Sequence, residues 1–228
     1  GVSGSRFVAM WPAPGVIRAA TLSGTVLGRP RTVFAEPTDA GLPVDLQVRG
    51  TTKGFVAAWH EPENDRSVRT LDLSRNGRTT ASGRYALTPG RLTLLAARNG
   101  RVLVASGGNY DRTAQRCDDL TLATREAGAR TFAPAVGRLP LGVSNGCGYS
   151  AAIDDLGRAT VGSTGPSGAM VSLSGPTGPF APAVAISPTV CAPETDLSTC
   201  SSGLLVSAAG TRTIATWVES GDTRLAAR

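Results

Sequence analysis

Aromatic residues make up only 5% of this 228-residue chain, and histidine and lysine occur once each, at His60 and Lys53. A core so short of large rings has to be filled with Val, Leu, Ile and Ala, and 28 glycines and 15 prolines cut the chain into short segments that leave little room for helices. No run of 18 apolar residues exists, so no membrane-spanning helix is written here, and membrane insertion is not expected. The opening GVSGS lacks the apolar core of a signal peptide. Four cysteines, Cys117, Cys147, Cys191 and Cys200, include no CxxC pair, which excludes a zinc ribbon and a thioredoxin-like redox motif. No GxGxxG or P-loop sequence opens a helix, so no nucleotide cofactor is expected.

What the chain has in quantity is arginine, which supplies 22 of its 23 basic residues against 17 acids. The formal charge of +6 raises the question of a nucleic-acid partner, but the arginines are scattered at turns and strand ends without a basic run. They read as solvated surface charge, and no nucleic-acid partner is expected.

One stretch is written five times: RFVAMW (6–11), GFVAAW (54–59), RVLVAS (101–106), RATVGS (158–163) and RTIATW (212–217). The copies end at 11, 59, 106, 163 and 217, giving steps of 48, 47, 57 and 54 residues, a spacing that belongs to repeat architectures. Around each copy lie alternating apolar and polar segments joined by turn signals, among them Asn76-Gly77 and Asn99-Gly100. Each unit therefore reads as up to four short antiparallel strands, with the repeated stretch second in line.

Four-stranded meanders at about fifty-residue spacing resemble bacterial β-propellers, from Arg6 to the end of the chain. The resemblance implies an all-β, single-domain β-propeller with about five four-stranded blades, at 6–42, 43–90, 91–142, 143–190 and 191–228, after a frayed start at 1–5. The repeated stretch would then be the second strand from the axis, packed on both faces between blades, with Trp11, Trp59 and Trp217 as inter-blade packing residues. The first unit is short of an innermost strand and the fifth of an outermost one. The chain is thus either an incomplete ring or part of a longer propeller, and its unfinished ends suggest assembly.

In such a meander the connections fall on two faces. One carries short turns such as SRNGR and GTR, whereas the other carries HEPENDR (60–66), GGNYDRTAQRC (107–117), LPLGVSNGCG (139–148) and ISPTVCAPETDLSTCSSG (186–203), with all four cysteines. Long loops on a rigid frame are where binding resides. The candidate contact residues are Asn109, Tyr110, Asp111 and Arg112, which bring an aromatic ring, a carboxylate, a guanidinium and an amide together, with His60 and Glu61. The economical cysteine pairing, 117 with 147 and 191 with 200, would make two disulfides, each worth about 2 to 4 kcal/mol. It implies an oxidising, secreted or cell-surface setting.

Catalysis has little to stand on. His60 with Glu61, Glu63 and Asp65 lacks fixed ligand spacing, so neither a metal nor a catalytic residue is expected. Sialidases, also propellers, resemble one another in an Asp-box, Ser/Thr-x-Asp-x-Gly-x-x-Trp/Phe. The nearest stretch here, Ile153 to Thr160, lacks the hydroxyl and the aromatic. The inner strands at 44–48, 92–96, 149–153 and 204–208 offer no converging acid or arginine cluster apart from Asp45. The expectation is a secreted or cell-surface binding or scaffold module meeting a protein or glycan on its long-loop face. The alternatives are a sialidase-like or other carbohydrate-active enzyme, and a structural subunit of a larger extracellular assembly.

Overall fold

The structure, a computed structural model, describes residues 1–35, 41–61, 64–108, 110–111, 116–117, 119–133, 138–139, 148–165, 168–187, 202–219 and 222–227. Strands account for the regular structure, and no helix occurs among the described residues. The chain is all-β, built from several antiparallel sheets in sequence order. The first sheet comprises β1 (Val2–Ser3), β2 (Arg6–Ala13), β3 (Val16–Ser23), β4 (Val26–Leu27) and β5 (Arg31–Ala35), the last two pairing with different parts of β3. The second is a meander of β6 (Val44–Thr51), β7 (Gly54–Glu61), β8 (Asn64–Ser74) and β9 (Thr79–Ala86). In the third, β10 (Gly90–Ala96) and β11 (Val102–Gly108) precede a small ladder of β12 (Tyr110–Asp111) and β13 (Arg116–Cys117), and then β14 (Leu120–Arg125) and β15 (Arg138–Leu139) complete the sheet. The fourth contains β16 (Tyr149–Ile153), β17 (Ala159–Gly165), β18 (Gly168–Leu173) and β19 (Val184–Ala185). The fifth has three strands, β20 (Ser202–Ala209), β21 (Arg212–Glu219) and β22 (Asp222–Ala227).

The opening residues, expected to be frayed, instead supply β1, which pairs Val2 with Phe7 and Ser3 with Arg6. That short strand is anchored to the next sheet by Ser3 Oγ, which donates to Thr51 O at 2.5 Å.

The repeated stretch is the second strand of every sheet, and its period-2 alternation explains how the sheets stack. The second, fourth and sixth residues of a copy face the preceding sheet, while the third and fifth face the following one. Phe55, Ala57 and Trp59 accordingly join Val8, Ile17 and Ala19 of the first sheet in one core. Val56 and Ala58, on the opposite face of β7, join Leu92, Leu94, Val102 and Val104 of the third sheet in another. Leu103 and Ala105 then pack with Tyr149, Ala159 and Val161 of the fourth, and Ala152, Ala169 and Val171 with Leu204, Val206, Ala215 and Trp217 of the fifth. Every residue of β7 is buried as a result. Trp59 and Trp217 are inter-sheet packing residues, with Trp59 edge-on to Phe34 at 5.2 Å between ring centroids, whereas Trp11, expected to do the same, is half-buried and belongs to no core cluster among the described residues.

Among the described residues the two end sheets are covered on one face only. Val2, Phe7 and Leu27 of the first sheet and Leu205, Ile214 and Leu225 of the fifth remain exposed. Among the described residues no core cluster joins the fifth sheet to the first.

Arginine is the main departure from sequence expectation. Read as solvated charge, several arginines instead tie one sheet to the next. Arg101, the first residue of its copy, is fully buried; its Nη1 donates to Gly157 O at 2.8 Å and Ser174 Oγ at 3.0 Å, and its Nη2 to Gly178 O at 2.7 Å. Burial pulls its guanidinium below the ordinary arginine value, and Glu126, 3.2 Å away, opposes the shift. Arg6 and Arg158 hold the same place in their copies and reach the second and fifth sheets through Arg75 O and Thr211 O.

Candidate functional site

Consecutive strands alternate direction, so the connections after the second strand of a sheet lie on the same face as those entering its first strand. His60 and Glu61, expected in a loop, are strand residues at that end of β7, 3% and 8% exposed. Glu61 pairs with Arg69 and, at 2.5 Å, with Arg84. Burial pushes its carboxyl up, but hydrogen bonds from Ser67, Arg69 and Arg84 outweigh that and hold it below the usual carboxylate value. A carboxylate so neutralised serves as an anchor for β8 and β9 rather than as a free base.

His60 Nε2 lies 3.3 Å from Ser106 Oγ at the end of β11. Ser106 gives its own hydrogen to Thr88 O at 2.6 Å, so the imidazole is the donor in the His60–Ser106 contact. That polarity is opposite to the one a nucleophilic serine needs from its base. His60 Nδ1 is buried with no hydrogen-bond partner among the described residues. The structure thus places His60 at the root of the connection that carries Tyr110 and Asp111. The backbone of this connection forms a short hairpin, Tyr110 opposite Cys117 and Asp111 opposite Arg116. Asn109, Arg112, Cys147, Cys191 and Cys200 lie outside the described residues, as does the Cys117 side chain, and both disulfide expectations fall there.

A second grouping was not legible in the sequence. The first strands of the second, third and fourth sheets begin on this same face, and Asp45, Arg91 and Tyr149 sit at those starts. The Tyr149 hydroxyl is 2.7 Å from Arg91 O, 3.0 Å from Thr93 Oγ1 and 3.2 Å from Ala105 O. Burial pushes the Tyr149 phenol up to about 12, with Thr93 and Arg91 pulling against it and Asp45 adding to it. The Arg91 guanidinium stands 5.8 Å from the centroid of the Tyr149 ring and is exposed beyond it. Asp45 is exposed too, and it takes a positive φ of 56° in the irregularity between Val44 and Gln47. The side chain of Gln47 bridges to the third sheet, donating to Leu92 O at 2.5 Å and accepting from Leu94 N at 3.0 Å. Two exposed charges, the Asp45 carboxylate and the Arg91 guanidinium, thereby stand on this face at the starts of adjacent sheets, with the buried Tyr149 ring beneath Arg91.

Asp154, in the stretch nearest an Asp-box, has a structural task. Its carboxylate accepts from the backbone N–H of Leu156 and Arg158 and from Arg158 Nε, closing the turn between β16 and β17 on the opposite face. Among the described residues no group of three or more His, Cys, Asp or Glu is placed to hold a metal ion.

No family model matches the chain, and no curated protein matches it either. Among solved structures, a crystal structure of a protein of unknown function from Dyadobacter fermentans DSM 18053 aligns with 93% of this chain and 71% of that one, at 10% identity and a TM-score of 0.45. A GH43_1 enzyme from Xanthomonas citri complexed with xylotriose aligns with 100% of this chain and 88% of that one, at 9% identity and a TM-score of 0.37.

Proposed function

We propose that the chain is a five-bladed β-propeller-type module, incomplete as a ring or part of a longer propeller, that works as a secreted or cell-surface binding or scaffold protein. The long-connection face meets a protein or glycan partner. The observation that carries this reading is the convergence of Asp45, Arg91 and Tyr149 at the starts of three adjacent inner strands, on the face where the hairpin of Tyr110 and Asp111 also lies. Exposed acid and guanidinium groups at the starts of packed strands, Arg91 backed by the buried Tyr149 ring, suit polar recognition, since little conformational freedom is lost when a partner binds. The His60–Ser106 polarity and the neutralised Glu61 speak against acid-base work at the same face.

The test is a glycan and extracellular-protein array probed with the intact protein, followed by affinity measurements on any partner found. Tyr110→Ala and Arg91→Gln are expected to weaken that partner by about 1 to 3 kcal/mol with little change in Tm. Asn76→Ala, in a short turn of the other face where Arg6 Nη1 bonds Asn76 Oδ1, is expected to lower Tm and spare binding. Equal affinity losses from both faces, or none from Tyr110→Ala and Arg91→Gln, would contradict the assignment.

A further inference from the structure

The five copies of the repeated strand differ at their first residue: Arg6, Gly54, Arg101, Arg158 and Arg212. Where a sheet follows and the residue is arginine, its side chain enters the junction on the short-turn face and bonds main-chain carbonyls of that following sheet. At the junction of the second and third sheets the residue is Gly54, and no side chain can stand there. A Cβ on Gly54 would lie 2.0 Å from Leu73 O, and its φ of 156° is one L residues rarely adopt. The tie at this junction runs backwards instead: Arg125, at the end of β14, reaches across to Asp72 of the second sheet with both guanidinium nitrogens.

The reversal leaves a cleft of about 570 Å³, large enough for a small organic molecule and far larger than a single ion needs. Its walls include the turn residues Asn99, Gly100, Gly128 and Ala129, of which Gly100 and Ala129 correspond to the Gly157 and Gly178 that Arg101 bonds one sheet further on. Three cations line it, Lys53, Arg125 and Arg130. The one carboxylate among the described lining residues, Asp72, has both oxygens taken by Arg125. The exposed Lys53 and Arg130 therefore set the sign of the potential in the opening. The remaining polar lining consists mainly of hydroxyls, Thr51, Thr52, Ser74 and Thr80.

From these observations we infer that the cleft between the second and third sheets, on the face opposite the long connections, binds a small hydroxylated carboxylate of sugar-acid type. Lys53 and Arg130 take the carboxylate by charge-assisted hydrogen bonds, and the threonine and serine hydroxyls take the polyol body. The cleft exists because the second copy of the repeat lacks the arginine that fills the corresponding space elsewhere.

The test is calorimetric titration of the intact protein with glucuronate and, separately, with methyl glucoside, at low ionic strength. Glucuronate is expected to bind and methyl glucoside to bind at least about tenfold more weakly, the usual worth of one charge-assisted contact. The double variant Lys53→Gln/Arg130→Gln changes only exposed side chains and is expected to lose about tenfold or more in glucuronate affinity. Arg212→Gln, which removes an exposed charge on the same face of the fifth sheet, is expected to leave affinity within about twofold. Absence of glucuronate binding, equal binding of the neutral glycoside, an unaffected double variant, or an equal loss in Arg212→Gln would each overturn the inference.

Discussion

Arg125 and Asp72 face each other across the second and third sheets in a two-pronged ion pair, Nη2 to Oδ1 at 2.8 Å, with Arg125 almost fully buried and its guanidinium 5.2 Å from the Phe132 ring centroid. At the next junction the equivalent of Arg125 is Ser174, and the cation arrives from the other side as Arg101. On the short-turn face each of these two junctions therefore holds a guanidinium, supplied by whichever sheet can accommodate it. Breaking such a pair leaves a charge in a poorly solvated place. Arg125→Gln and Asp72→Asn are each expected to cost about 2 to 3 kcal/mol in urea unfolding, below the fully buried limit because Asp72 keeps some water. The double variant should cost measurably less than the sum of the two; strict additivity would show that the pair is not coupled.

Arg101 and Arg212 occupy the same repeat position with opposite environments, one fully buried and the other exposed. Arg101→Gln is expected to destabilise by about 3 kcal/mol or more, because the Gly157, Gly175 and Gly178 carbonyls lose their donor. Arg212→Gln should stay within about 0.5 kcal/mol. Similar effects from the two, read from denaturant midpoints, would contradict the junction assignment.

Tyr149 supplies an alkaline test. Its folded-state value lies at about 12, above the ordinary tyrosine value, so the folded protein holds the phenolic proton after the unfolded chain has lost it. That contribution to stability is complete below the unfolded value and is lost as pH rises through the folded one. A spectroscopic alkaline titration should find one tyrosine ionising last, and Tyr149→Phe should remove that late phase.

Glu61 makes the mirror-image prediction at low pH. Its folded value is depressed, so its contribution is present above the unfolded value and fades as pH falls through the folded one. Glu61→Gln should flatten the acid limb of stability against pH; an unchanged limb would show that Arg69 and Arg84 do not hold the carboxylate in the fold.

Much of this architecture was legible because strands buried on both faces leave a near-continuous apolar run, and GFVAAW is such a run. The packing of Trp59 and Trp217 between sheets followed from the same reasoning. The buried Arg101 did not, since arginine is ordinarily a surface residue, although its recurrence at the head of four of the five copies was a visible signal. From the sequence His60 and Glu61 read as the start of an acidic loop; the partners they are buried against, Arg69, Arg84 and Ser106, are not adjacent to them in sequence. Asp45, Arg91 and Tyr149 are too far apart along the chain for any spacing to associate them, and only the stacking of three sheets brings them together. The Gly54 cleft depends on comparing repeat copies for what one of them lacks, a contrast that composition and motif reading pass over.

The stacking of sheets through the two faces of the repeated strand underlies both the binding-face proposal and the cleft, and amide hydrogen exchange under native conditions tests it most directly. The peptides covering Gly54–Glu61, Val102–Gly108 and Ala159–Gly165 have sheets on both sides and should be the slowest to exchange, while Arg6–Ala13 and Arg212–Glu219 have, among the described residues, a sheet on one side only and should exchange faster. Equal protection across all five copies, or faster exchange in the three central ones, would contradict the account.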